Sequence, residues 1–262
     1  MKMKKYLIVL STLVLTVLNG CSKWDGDPIT QEFSIDGTYT ELNVADAFDV
    51  TVSDTVSQVI VTAGENIMPK VRVEKAGDKL RIYLKGWTVS HGTMKVLLPY
   101  NPSLKCVDLS GASDFRSSFT ITAPKVEIDL SGASDFYGDI EAYEVEMDIS
   151  GSSSIEGRVT AIGELGLELS GSSNATLEGG AGTLVMDLSG SSTITRKVVG
   201  DRFALGCNGC VGSMSGSSDA YIHCDGSIKV SLSGASDLHY TGGASTSGCS
   251  ASGGSNVIQE VL

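Results

Sequence analysis

Short runs that alternate apolar and polar residues recur along this chain, and that two-residue period belongs to strands with one buried face. AFDVTVSD (47–54), QVIVTAG (58–64), KVRVEKAGDKLRIYLKG (70–86) and MKVLLPY (94–100) all alternate this way, and Ala76-Gly77-Asp78 reads as a hairpin turn inside the third. The pattern then becomes a repeat. VDLSGASDF (107–115) returns as IDLSGASDF (128–136), MDISGSSSI (147–155), LELSGSSNA (167–175) and MDLSGSSTI (186–194). Three looser copies follow: GSMSGSSDA (212–220), VSLSGASDL (230–238) and CSASGGSNV (249–257). Their central glycines are spaced by 21, 19, 20, 19, 26, 18 and 19 residues.

One supersecondary unit per roughly 20 residues is the signature of a solenoid. Each copy has strand alternation before its glycine, turn chemistry at Ser-Gly-Ala/Ser-Ser, and no helical pattern of usable length. The expected fold is all-β: a parallel β-helix over 105–262, preceded by a strand-rich segment at 30–104 that caps it or forms its first irregular rungs. Asn101-Pro102 marks the seam. A cap is expected because an open edge recruits other strands, and Asn256 to Leu262 is a candidate to close the far edge.

Stacking at about 4.8 Å per rung would give eight copies a length near 35 to 40 Å. Leu109, Leu130, Ile149, Leu169, Leu188, Met214 and Leu232 should then form one buried column. Ser113, Ser134, Ser153, Ser173, Ser192, Ser218, Ser236 and Ser255 should form a hydroxyl ladder at a crowded corner. The Ser110 equivalents should form another. Eightfold repetition of serine invites a binding track, but small hydroxyls bonding to the next rung account for it structurally.

Charge is uneven. The chain carries 31 acidic and 19 basic side chains, net -12; residues 1–104 hold 11 of each, so the whole surplus lies beyond. Such a surface disfavours nucleic acid as a partner. Part of the surplus is a column of Asp108, Asp129, Asp148, Glu168 and Asp187. Neighbouring carboxylates repel, so these five are weak calcium candidates, although stacked carboxylates supply few convergent oxygens. The alternative is a solvated acidic face with no metal.

The first twenty residues read as an address. Lys2, Lys4 and Lys5 precede an apolar run from Tyr6 to Leu18, too short for a stable span, which closes on Leu18-Asn19-Gly20-Cys21. A small residue before a cysteine here resembles the bacterial lipobox. That resemblance makes 1–20 a lipoprotein signal peptide, Cys21 the lipidated (fatty-acylated) mature N-terminus, and 21–29 a polar tether. Ser22-Lys23 favours the outer membrane over the inner.

Five cysteines remain: Cys106, Cys207, Cys210, Cys224 and Cys249. Cys207 and Cys224 lie nine and ten residues before their glycines, hence at nearly the same place on adjacent rungs, and are the candidate disulfide. Cys207-Asn208-Gly209-Cys210 is also a C-x-x-C, but no helix follows it and no second C-x-x-C completes a zinc set. No G-x-S-x-G, H-E-x-x-H, P-loop or dinucleotide signature occurs, and His91, His223 and His239 show no Ser/His/Asp spacing. No cofactor is expected.

The lipobox, the strand segment containing FDVTV and the serial LSGAS/LSGSS motifs resemble the Bacteroidetes lipoproteins called putative auto-transporter adhesins with a head GIN domain, over about residues 35–258. The resemblance implies a β-helical envelope protein and carries no catalytic set. Three functions stay open. One is a noncatalytic, lipid-anchored adhesin that binds a glycan or envelope protein. Another is a lyase or glycosidase using acids such as Asp114, Asp135 or Asp219, since β-helices also host carbohydrate enzymes. The third is a structural envelope component.

Overall fold

In the computed structural model, residues 25–86, 92 and 94–262 are described; Cys21, the signal segment and His91 lie outside them. Strand accounts for 62% of the described residues. One 20-stranded, mostly parallel sheet and one two-stranded hairpin hold all the strands described. The first nine are β1 (Pro28–Phe33), β2 (Glu41–Val44), β3 (Phe48–Ser53), β4 (Val59–Gly64), β5 (Val71–Ala76), β6 (Lys79–Leu84), β7 (Met94–Pro99), β8 (Cys106–Leu109) and β9 (Asp114–Arg116).

From β8 on, each repeat pairs in parallel with the next at matching positions. Leu109, Leu130, Ile149, Leu169, Leu188, Met214 and Leu232 are register partners in turn, and all are buried. Inward apolar residues from all faces meet in one core that runs the length of the molecule.

The serine ladder sits at the corner after this column. Ser113 through Ser236 are buried at every copy, and Ser255 in the last is half-buried. The hydroxyls of Ser113, Ser134, Ser218 and Ser236 donate to the carbonyl three residues back, at 2.8 to 3.1 Å. Several also accept a backbone N–H from the preceding repeat, as Ser153 does from Ser134 at 3.2 Å. A larger side chain would lose both bonds and has no room, so serine recurs for structural reasons.

The parallel stacking does not start at β8. Val44 pairs with Leu109, Asp49 with Asp114 and Val50 with Phe115, so Val44-Ala45-Asp46-Ala47-Phe48-Asp49-Val50 lies against LSGASDF without sharing its motif. On the far side of β2 and β3 lie β6 and β7, also parallel. The chain therefore builds a layer, covers its outer side with β6 and β7, and returns to the inner side at β8. Antiparallel strands finish this end: β5 on β6, β4 on β7, and β1 on β4. The turn at Ala76–Lys79 closes the β5–β6 hairpin.

The one long spacing, between Gly190 and Gly216, holds the separate hairpin Val198–Val199 and Arg202–Phe203. Phe203 anchors it, buried edge-on against Tyr221 with ring centres 5.5 Å apart.

Candidate functional site

Register places two chemically distinct outward faces on the repeats. The first, formed by β8 and its equivalents, carries the predicted acidic column. Asp108, Asp129, Asp148, Glu168 and Asp187 are consecutive partners and point outward. The column is tied off at both ends, by Asn43 Nδ2 to Asp108 at 2.7 Å and by Ser213 Oγ to Asp187 at 2.6 Å. Partial burial, followed by the charges of Asp108 and Asp148, pushes the Asp129 carboxyl above its ordinary range. Lys125 draws Glu146, Glu144 and Glu127 together at 2.8, 2.9 and 3.4 Å. Among the described residues no group of three or more His, Cys, Asp or Glu is arranged to hold a metal ion.

The second face, formed by β3, β9 and the strands in line with them, has the richer chemistry. One outward column runs Asp49, Asp114, Asp135, Ser154, Asn174 and Thr193. Beside it runs a column containing Thr51, Arg116, Tyr137, Glu156 and Thr176. Arg116 Nη1 bonds Asp114 at 3.0 Å and lies 4.0 Å from Asp49, while its guanidinium covers the Tyr137 ring at 4.4 Å. Burial first, then a hydrogen bond to Asp114 and that residue's charge, raises the Asp49 carboxyl. Ser154 donates to Asp135. Farther along, Tyr221 and His239 stack at 4.5 Å, and His239 meets Glu260 at 2.7 Å.

Two arrangements have the outline of a catalytic site without its access. His223 Nδ1 lies 3.0 Å from Thr241 Oγ1 and its Nε2 3.2 Å from Asp225, a hydroxyl–imidazole–carboxylate chain that its spacing in sequence gave no sign of. Thr241 is buried, and its oxygen already accepts the Phe203 N–H at 3.1 Å. The chain therefore fastens the inserted hairpin. A cavity of about 20 Å³ lies among Tyr39, Leu98, Tyr100, Asn101 and Phe119, with room for about one water. Among the described residues its Tyr39 hydroxyl is buried without a hydrogen bond of good geometry, and burial, partly opposed by the Asn101 side chain, pushes that phenol up to about 12.

Cys207 and Cys224 are register partners, as their spacing predicts, and both are buried thiols. Contact with Cys210 and burial hold the Cys207 thiol far above its ordinary value; burial chiefly raises Cys224, to about 12. Cys106 faces outward beside acidic groups, and burial followed by their charges raises it to about 11. None of these thiols has the depressed value of a reactive nucleophile. Asp219 stands in line with Asp237 and Thr193, well along the second face from Asp135.

Parallel strands stacked in register, with polar columns on their outer faces, define a class of repeat protein. The family profile described as "Putative auto-transporter adhesin, head GIN domain" matches residues 38–244, and the chain belongs to that family. Solved structures share the fold. One is a putative adhesin from Parabacteroides distasonis ATCC 8503 at 21% identity and TM-score 0.72, covering 90% of this chain and 95% of that one. A putative lipid binding protein from the same organism gives 20% and 0.71, covering 90% and 97%. A putative adhesin from Bacteroides fragilis NCTC 9343 gives 16% and 0.63, covering 89% and 97%. No functionally curated protein matches.

Proposed function

We propose that the repeats coil as a parallel β-helix and that the protein is a noncatalytic, lipid-anchored envelope adhesin. Its second face binds a polymer, a glycan or the extended surface of an envelope protein. The observation that carries this reading is the regularity of that face. Carboxylate, hydroxyl and amide groups recur once per repeat beside Arg116, Tyr137 and Tyr221, which suits many weak contacts with a repeating ligand. Arginine and flat rings supply the stacking surface that sugar rings use, and Asp114, Asp135 and Asn174 supply orienting hydrogen bonds. The family description supports adhesion as the coarser statement.

The test is retention of the protein on a broad set of polysaccharides and envelope fractions, with reducing ends and unsaturated products followed in parallel. Binding without product, weakened by Arg116→Ala, is the expected result. Turnover abolished by Asp114→Asn would instead favour a carbohydrate-active enzyme. The specific observation behind that second reading is the Asp49–Asp114 pair, two carboxyls side by side of which Asp49 is raised by burial and by its neighbour. A protein with neither activity would be a structural component.

Anchoring belongs to the same proposal. Cys21 takes a fatty acyl label and holds the protein in the outer membrane, and Cys21→Ala releases it; labelling that persists in this variant sinks the idea. Outside the cytoplasm Cys207 and Cys224 oxidise to a disulfide, which non-reducing peptide mapping detects or refutes. If calcium bridges assist at the acidic column, chelator weakens binding.

A further inference from the structure

The two ends of the stack are finished differently. At the first end β1 and β5 run antiparallel to the strands beneath them. They carry Glu32 on β1 and Arg72, Glu74 and Lys75 on β5, the charged side chains that discourage further strands from pairing with an edge. At the other end, among the described residues, Ser250–Ala251 pairs only with the strand Asp219–Leu232, and Asn256–Gln259 only with Asp237–Thr241. The Asn256 and Glu260 amides donate inward to the Ser236 and Tyr240 carbonyls, at 3.2 and 2.8 Å. In a parallel ladder the alternate residues, Val257 and Gln259, then turn their N–H and C=O groups away from the stack. The core is open there as well. A hollow of about 520 Å³ is lined by Thr246, Cys249, Ala251, Ser255 and Val257, and Ala251, which continues the column of Leu188, Met214 and Leu232, is exposed.

The charge pattern identifies what covers this end. Residues 240–259 contain no Asp, Glu, Lys, Arg or His, the longest such run in a chain of net charge -12. A chain this acidic repels its own copy at most surfaces, and the final layer is where that repulsion is weakest, its nearest carboxylates being Asp237 and Glu260. We propose that this end is the interface of a tail-to-tail homodimer. A two-fold axis perpendicular to the stack brings two identical edges together and reverses strand direction. Asn256–Gln259 then pairs antiparallel with the partner's edge, and the two half-open cores close on each other. The finished first end admits no further copy, so assembly stops at two, as a closed isologous contact requires.

The test uses the full chain in mild detergent. Light scattering and sedimentation should give twice the chain mass, and the Val257 and Gln259 amides should become protected from hydrogen exchange as concentration rises. Two variants separate edge pairing from folding. Gln259→Pro removes an outward N–H and its side-chain bond to Gly242, and Ser252→Glu sets like charges across the two-fold. Each should give monomers with the parent's circular dichroism and at least a tenfold weaker dimer constant. A parent protein that stays monomeric at millimolar concentration overturns the proposal, as does a dimer that survives both variants. Protection that appears only with added envelope extract, the pure chain being monomeric, also overturns it, in favour of a different polypeptide at this edge.

Discussion

The layer formed by residues 44–50 and the repeat at 109–115 occupy adjacent positions and pair residue for residue, yet one reads VADAFDV and the other LSGASDF. In the repeats a glycine with positive φ turns the corner, for instance Gly171 at +78°. In the first layer Asp46 takes the same turn at φ +75°, the one non-glycine residue described there with positive φ. Its carboxylate accepts the Leu84 N–H at 2.7 Å, which offsets part of the backbone cost. Where the repeats bury a serine, this layer buries Phe48, whose N–H still donates to Ser113 Oγ at 3.4 Å. The corner geometry therefore belongs to the stack. The motif is one solution to it, enforced where identical backbones lie on both sides.

The sharpest way to break the comparison is at the glycine. A Cβ on Gly171 would stand 2.5 Å from the Gly151 carbonyl oxygen, in addition to the backbone strain. Gly171→Val should therefore cost about 3 kcal/mol or more in urea unfolding. Asp46→Gly should stay within about 1 kcal/mol, since relief of strain offsets the lost hydrogen bond. Equal losses at both positions would mean that the two corners are not equivalent.

Next in size is the shared column. Leu169→Ala should cost about 2 to 5 kcal/mol and Val44→Ala less, because fewer buried atoms are removed. A neutral Leu169→Ala would contradict the burial of that column. Ser153→Ala leaves the Ser134 N–H without its acceptor and should cost about 1 to 3 kcal/mol by thermal or urea melts.

The smallest effect is electrostatic. The Asp129 carboxyl is raised in the folded state, so its ionisation opposes folding. The penalty is full above the raised value and gone below the unfolded value near 4. Asp129→Asn should then stabilise at neutral pH, and its advantage should vanish as pH falls through that window; stabilisation that persists at pH 3 would point to another cause.

The buried leucine column, the serine ladder and the Cys207–Cys224 register were legible because each rests on a side chain that recurs at fixed spacing. The layer at 44–50 was not. Its alternation marks strands, but with Asp46 for glycine and Phe48 for serine it shares only Ala47 and Asp49 with the motif, and the covering of that layer by β6 and β7 skips the order of the chain. The Asp49–Asp114 pair was hidden for the same reason, since its members belong to layers that sequence comparison does not align. The Thr241–His223–Asp225 chain joins register partners on adjacent strands, one repeat apart, but its residue types recur in no other repeat and so left no pattern to read.

The way the first layer is enclosed also fixes where the molecule can change in size. Residues 28–99 make an end that is built out of order and closed by antiparallel strands, so nothing can be added or removed there without undoing several pairings at once. Beyond β9 every repeat is laid on the last in the same direction, and each corner meets its neighbour through the same contacts. Length is thus a quantised property of one arm. Excising residues 151–170 joins Ser150 to Gly171 and removes one unit, about 4.8 Å of rise. Scattering from the excised protein should show that shortening while both ends of the stack keep their chemistry, so that the length of the molecule is set by a whole number of repeats.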